Sequence, residues 1–120
     1  MPSNQEIKAT CAALIAAKER LYKVAEGELN ARAALKIAEN AVILQYADEP
    51  KKLGGNESAR NAAIREKTLA AFNDLEEIEA EKRKAQLAYD LAVLSMDCLK
   101  WQIRNEQAAA DCEAQGLGAI

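Results

Sequence analysis

The sequence predicts an all-α fold, a long antiparallel two-helix hairpin of coiled-coil type that dimerises into a four-helix bundle. Three features predict it. Apolar residues recur every seven positions along the first third of the chain. One cluster of helix breakers, and only one, interrupts the interior. The composition is rich in alanine and poor in bulk: 26 of 120 residues are alanine, against one Phe, three Tyr and one Trp. Alanine has the strongest helix propensity but buries little area. Such a chain suits long helices in contact through a thin seam rather than a thick core.

The first helix is expected over residues 3–48. Ser3 and Glu6 form an S-x-x-E capping box, in which the hydroxyl accepts from the amide three residues on. Ile7, Leu14, Leu21, Glu28, Leu35 and Val42 then repeat at one heptad position. Thr10, Ala17, Val24, Ala31, Ala38 and Gln45 repeat at the next, so large residues alternate with small ones along one seam. Glu28 breaks the apolar series, and Leu29 beside it is expected to take over locally. Gly27 costs about 1 kcal/mol in a helix interior and marks an expected weak point there.

A turn is expected over residues 49–55, with the cluster Pro50-Lys51-Lys52-Leu53-Gly54-Gly55-Asn56 at its heart. Pro50 lacks an amide hydrogen and disfavours helical geometry at Glu49. Asn56 can cap the next helix, with Glu57 well placed in its first turn. That second helix is expected to run unbroken over residues 56–115, ended by Gly116 and Gly118, with a flexible tail over 116–120. The whole of 1–120 is expected to be one domain.

The seam of the second helix combines Thr68, Leu75, Lys82, Tyr89, Met96 and Ile103 with Ile64, Ala71, Ile78, Ala85, Ala92 and Leu99. Folding back at the turn sets residue numbers that sum to about 104 side by side, which brings Leu35 level with Leu69 and Leu14 level with Asp90. The charged stretch from Glu76 to Lys84 reads as a solvated face, with local pairs Glu79–Arg83 and Glu81–Lys84. Beyond residue 86 a second apolar stripe appears: Leu87, Leu91, Leu94, Cys98 and Trp101. A helix apolar on two faces must be covered on two faces, and one partner helix covers only one. This stripe is the expected interface, and a two-fold dimer the expected assembly. Trp101, at stripe spacing, is expected to be buried in that interface, the alternative being a hot spot for a foreign partner.

The chain carries 16 basic and 19 acidic residues, a formal charge of −3, and no histidine. Lack of histidine removes the commonest general base and the commonest transition-metal ligand. No phosphate-cradling glycine motif is present, and adjacent carboxylates such as Glu76 and Glu77 point apart on a helix. A non-enzymatic protein without a cofactor or metal is therefore expected. No apolar run is long enough to span a bilayer, and the first residues lack the features of a signal peptide, so a cytoplasmic location is expected. Cys11, Cys98 and Cys112 are odd in number and lack C-x-x-C spacing. They read as small apolar residues, with Cys112 the best candidate for a reactive thiol. Lys51 and Lys52 at the turn, with Arg60 and Arg65 after it, make a basic tip. It could meet nucleic acid or an acidic partner, but the acidic balance of the chain favours plain solubility.

The stretch Leu53-Gly54-Gly55-Asn56-Glu57-Ser58-Ala59-Arg60, with the long Ala/Glu/Arg/Leu helix after it, resembles small phage- and prophage-encoded helical proteins. In those an L-G-x-N-E turn element precedes a charged helix with a leucine-rich stripe. The likeness extends from Leu53 to Arg104. It implies a small phage product that acts by binding a phage or host protein; a separate expectation is an inhibitor of a host defence enzyme, which needs no recognisable site. The alternative is a nucleic-acid-associated accessory of phage replication or recombination that uses the basic tip.

Overall fold

The computed structural model describes residues 1–116. The described chain is helical: α1 (Asn4–Gln45), a 3₁₀ turn (Pro50–Lys52), α2 (Glu57–Lys67) and α3 (Leu69–Ala114). None of these helices is long and apolar enough to cross a membrane.

α1 begins on the expected cap. Ser3 Oγ accepts from the Glu6 amide at 3.1 Å, which satisfies one of the orphan donors of the first turn. The helix ends at Gln45, three residues before the expected stop. There the Tyr46 amide is shared between the carbonyls of Val42 and Ile43, and the Ala47 amide reaches back only to Leu44. The last turn has tightened to 3₁₀ pairing. Pro50 holds Glu49 outside the helical region (φ −138°, ψ 71°), so the chain leaves the helix early.

The turn depends on Gly54. A Cβ built there would lie 2.6 Å from the Arg60 nitrogen and 2.7 Å from the Ala59 carbonyl carbon. These are backbone atoms of the first turn of α2, and they cannot step aside. Gly55 faces open space. Asn56 then caps α2, its Oδ1 accepting from the Ala59 amide at 2.7 Å.

The helix expected over 56–115 is two helices, parted at Thr68. Thr68 has φ −110° and ψ 19°, outside the helical region, and its hydroxyl donates to the Ile64 carbonyl at 2.7 Å. A threonine that bonds back to the preceding turn tends to bend the helix that holds it. Thr68 is also buried, and this local bond satisfies its hydroxyl. At the other end, Gly116 adopts φ +75°, the left-handed conformation of a helix stop. Gly118 and the rest of the expected tail beyond Gly116 lie outside the described residues.

The helix contacts gather into two compact units. One is Tyr22–Lys84. The other joins Met1–Leu21 to the chain from Ala85 onward. Within Tyr22–Lys84 the chain makes a helical hairpin, with α1 packed on α2 and the start of α3. Its seam is the expected one: Val24, Glu28, Ala31, Leu35, Ala38 and Val42 are buried or half-buried, as are Ile64, Thr68, Ala71, Leu75, Ile78 and Lys82. In the other unit the start of α1 packs antiparallel to the end of α3. Lys18 Nζ sits 4.7 Å from the Tyr89 ring centroid, and the Met1 amino group pairs with Glu106. Here Ile7, Leu14, Ala17 and Leu21 are half-buried opposite Ala85, Tyr89, Ala92, Met96, Leu99 and Ile103. The apolar residues that reach full burial in these seams are Leu75, Ala85 and Leu99. The core is one side chain thick.

Two expectations fail at one place, the middle of the hairpin unit. Leu29 does not replace Glu28. Leu29 is exposed, and Glu28 keeps its seam position at 8% exposure. Its carboxylate accepts from Arg32 Nε at 3.3 Å and from Lys82 Nζ at 3.4 Å. Arg32 Nη2 in turn donates to Glu79 at 3.2 Å. The stretch Glu76–Lys84 is therefore not merely a solvated face. Glu79 and Lys82 turn inward to α1, and among the described residues the pairs Glu79–Arg83 and Glu81–Lys84 do not form. Gly27, in the same place, does not end α1. α1 continues through it, and an added Cβ would stand 2.7 Å from Ile78 Cδ1. The missing side chain lets the isoleucine press against the α1 backbone, one residue from the axial level expected for it.

Two predictions follow from these contacts, both read by urea unfolding at one fixed protein concentration. Gly54→Ala lowers stability by about 1–3 kcal/mol because backbone must move, whereas Gly55→Ala leaves it unchanged or raises it by about 0.5 kcal/mol. Lys82→Met costs about 1–2 kcal/mol by leaving the Glu28 carboxylate with one partner in the seam. The double change Glu28→Leu with Lys82→Leu recovers that loss, because an apolar pair has no charge to desolvate.

Candidate interaction surfaces

α3 presents a second apolar line on the side away from its seam. Leu87, Leu91, Leu94, Cys98 and Trp101 follow one another at spacings of four, three, four and three. This is the period of a coiled-coil seam, continued for two heptads. Leu87 is 60% exposed, Leu91 54%, Leu94 59% and Trp101 65%, and Cys98 is exposed as well. All five lie in the unit that joins Met1–Leu21 to the chain from Ala85 onward. The residues at the seam positions Tyr89, Ala92, Met96, Leu99 and Ile103 are already covered. Trp101, expected to be buried in an interface, stands open in the single chain beside Asp97, Lys100 and Arg104, which share with it a recess of about 310 Å³.

The basic tip belongs to the hairpin unit. Lys51 and Lys52 lie in the exposed 3₁₀ turn. Lys52 pairs with Glu49. Arg60 donates from Nη1 to the Gly54 carbonyl at 3.3 Å, and the Arg65 guanidinium lies 4.9 Å from the Phe72 ring centroid. Lys67, also near the tip, stands over the Tyr46 ring at 5.4 Å. Three of the four expected tip residues are thus engaged with the hairpin that carries them. Beneath them an open recess of about 340 Å³ is lined by Ile43, Tyr46, Leu53 and Ile64, with Arg60 and Asn61 as polar members. The aromatic rings here face their own chain's cations and offer no free platform for stacked bases.

Among the described residues no group of three or more Cys, Asp or Glu is placed to hold a metal ion. Cys11 is half-buried, and Cys98 and Cys112 are exposed, all three free.

One surface escapes the sequence reading. On the outer side of α1, Tyr22, Leu29, Ile37 and Leu44 are all largely exposed. Their spacings of seven, eight and seven place them in line, because two turns of an α-helix take 7.2 residues. A search for strict sevenfold repeats passes over this line at the step of eight. A helical period of 3.6 would have found it.

No family model, no curated protein and no solved structure matches this chain.

Proposed function

We propose that this is a non-enzymatic assembly protein that works through helix faces, with Leu87, Leu91, Leu94, Cys98 and Trp101 as its principal contact surface. The observation that carries this reading is the exposure of that stripe on a helix whose opposite face is already occupied. Contiguous apolar surface of this kind marks an interaction site, and its heptad spacing suits another helix. A second copy is the partner that the pattern favours, because a two-fold axis sets one stripe against itself. Two copies joined in this way form a four-helix bundle. The turn element supplies a setting for this reading, a phage or prophage product, in which a phage or host protein is the competing occupant of the stripe. The basic tip supports the nucleic-acid reading less well, since Lys52, Arg60 and Arg65 are engaged with their own chain.

The test is sedimentation velocity on the wild-type chain and on Leu87→Glu with Leu94→Glu. The wild type is expected to sediment as a dimer or larger at micromolar concentration. The variant is expected as a folded monomer with unchanged far-ultraviolet circular dichroism, because both positions are exposed. Trp101, the single tryptophan, gives a second readout: its emission shifts to the blue as wild-type concentration rises, and stays put in the variant. A wild-type chain that remains monomeric at micromolar concentration overturns the proposal.

A further inference from the structure

The charges beside the α3 stripe distinguish one way of covering it from the others. Leu91 and Cys98 occupy one position of the stripe's heptad, and Leu87, Leu94 and Trp101 occupy the other. One residue before the first position come Asp90, Asp97, Arg104 and Asp111, seven apart and all exposed. Asp97 and Arg104 line the recess beside Trp101, so these four form one charged flank. The opposite flank, Ala88, Ser95 and Gln102, carries no charge. Asp90 accepts from Gln86 Nε2 at 3.0 Å through one carboxylate oxygen. Among the described residues Asp90, Asp97 and Arg104 form no ion pair within their own chain.

Direction decides what the flank meets in a second copy. Parallel helices set the charged flank of one against the neutral flank of the other. Asp90 then faces Ser95 and Asp97 faces Gln102, and no charge is paired. Trp101 would also stack on Trp101 and Cys98 on Cys98, one layer overfilled and the next hollow. Antiparallel helices set the charged flank against itself, and the heptad allows three registers. With Leu91 opposite Leu94, Asp90 meets Asp97 twice. With Cys98 opposite Trp101, Asp97 meets Arg104, but Asp90 meets Asp111 and Leu94 faces Asn105. With Leu91 opposite Trp101, Leu94 faces Cys98 and Asp90 meets Arg104 twice. The cost is a single Asp97–Asp97 approach on the axis, with Leu87 at the edge beside Asn105. This register alone keeps four apolar layers and pairs more opposite charges than like ones. The five stripe residues and Asp90, Asp97 and Arg104, at roughly 100 Å² each, supply about 800 Å² per copy, each partner's share of a standard interface.

We propose that the α3 stripe is covered by the same stripe of a second copy running antiparallel, with Leu91 against Trp101, Leu94 against Cys98, and Asp90 paired with Arg104 across a two-fold axis beside Asp97. It rests on the reading of the protein as a self-assembling one. What it adds is direction and register, and charge complementarity carries it.

The test is a charge swap read by sedimentation velocity in low salt, where surface charges are least screened. Asp90→Arg and Arg104→Asp are each expected to weaken self-association roughly tenfold or more, because each turns two attractions into two repulsions. The two together are expected to restore it to within about threefold of the wild type. Asp97→Asn is expected to tighten it by about threefold, since it removes the like pair on the axis. All these positions are exposed, and circular dichroism checks that each variant folds. A second measurement needs no charge change. With Cys11→Ser and Cys98→Val, a spin label on Cys112 reports the distance between copies. At 1.5 Å per residue the proposed register places the two labels about 50 Å apart, against about 60 Å or about 40 Å for the antiparallel registers one heptad away. Parallel helices place them under about 25 Å. Any of those other distances, or a double variant that stays as weak as the single ones, overturns the proposed pairing while a wild-type dimer keeps the assembly reading. A monomeric wild type overturns both.

Discussion

A carboxylate in an apolar seam is the constraint on which the hairpin turns. Glu28 occupies a position where every other heptad places an apolar residue, and it is held there by Lys82 from α3 and Arg32 from its own helix. An alanine-rich seam has little else to distinguish one register from another, because small side chains slide past one another at low cost. A buried charge is different. It is costly unless paired, and its partner is found at one axial level only. Polar residues at a single seam position are known to set register in coiled coils. The network Glu28, Lys82, Arg32 and Glu79 stands at such a position here, beside the close approach of Ile78 to Gly27. Register bought in this way does not require much stability from the pair itself, since Lys82 and Arg32 remain partly solvated.

The thin seam has a second consequence. With so few apolar residues fully buried, hydrophobic burial within one chain is modest, and small cores seldom provide more than a few kcal/mol. The sequence nevertheless spends large apolar side chains on outer helix faces. Leu87, Leu91, Leu94 and Trp101 on α3, and Tyr22, Leu29, Ile37 and Leu44 on α1, expose much of their surface to water. Single exposed leucines need no explanation, but lines of them at helical spacing do. The proposed assembly would account for both facts together.

The turn shows how local chemistry and packing share the work. Pro50 and Asn56 act through their own backbone bonds, and both roles can be read from the residues alone. Gly54 and Gly55 look equivalent in the sequence. Only the path of α2 past Gly54 separates them, since one glycine touches backbone and the other touches nothing. The basic tip follows the same logic. Its four cations are plain in the sequence, but that Arg60 grips the turn and Arg65 covers Phe72 depends on where the helices lie.

Sequence alone determined the helical class, the cap at Ser3, the breakers around Pro50, the cap at Asn56 and the two seams. Each of these rests on local propensity or on a repeat, and neither needs knowledge of distant residues. It also placed the α3 stripe, whose spacing of four and three is a heptad pattern. The tertiary structure decided what depends on a partner across the seam. It kept Glu28 in place and left Leu29 outside, because a lysine waits opposite. It drew Glu79 to Arg32 rather than Arg83, because α1 offers a nearer donor. It parted the second helix at Thr68, where a buried hydroxyl had to bond within its own chain. And it set Ile78 against Gly27, since a residue without a side chain is a gap until another helix fills it.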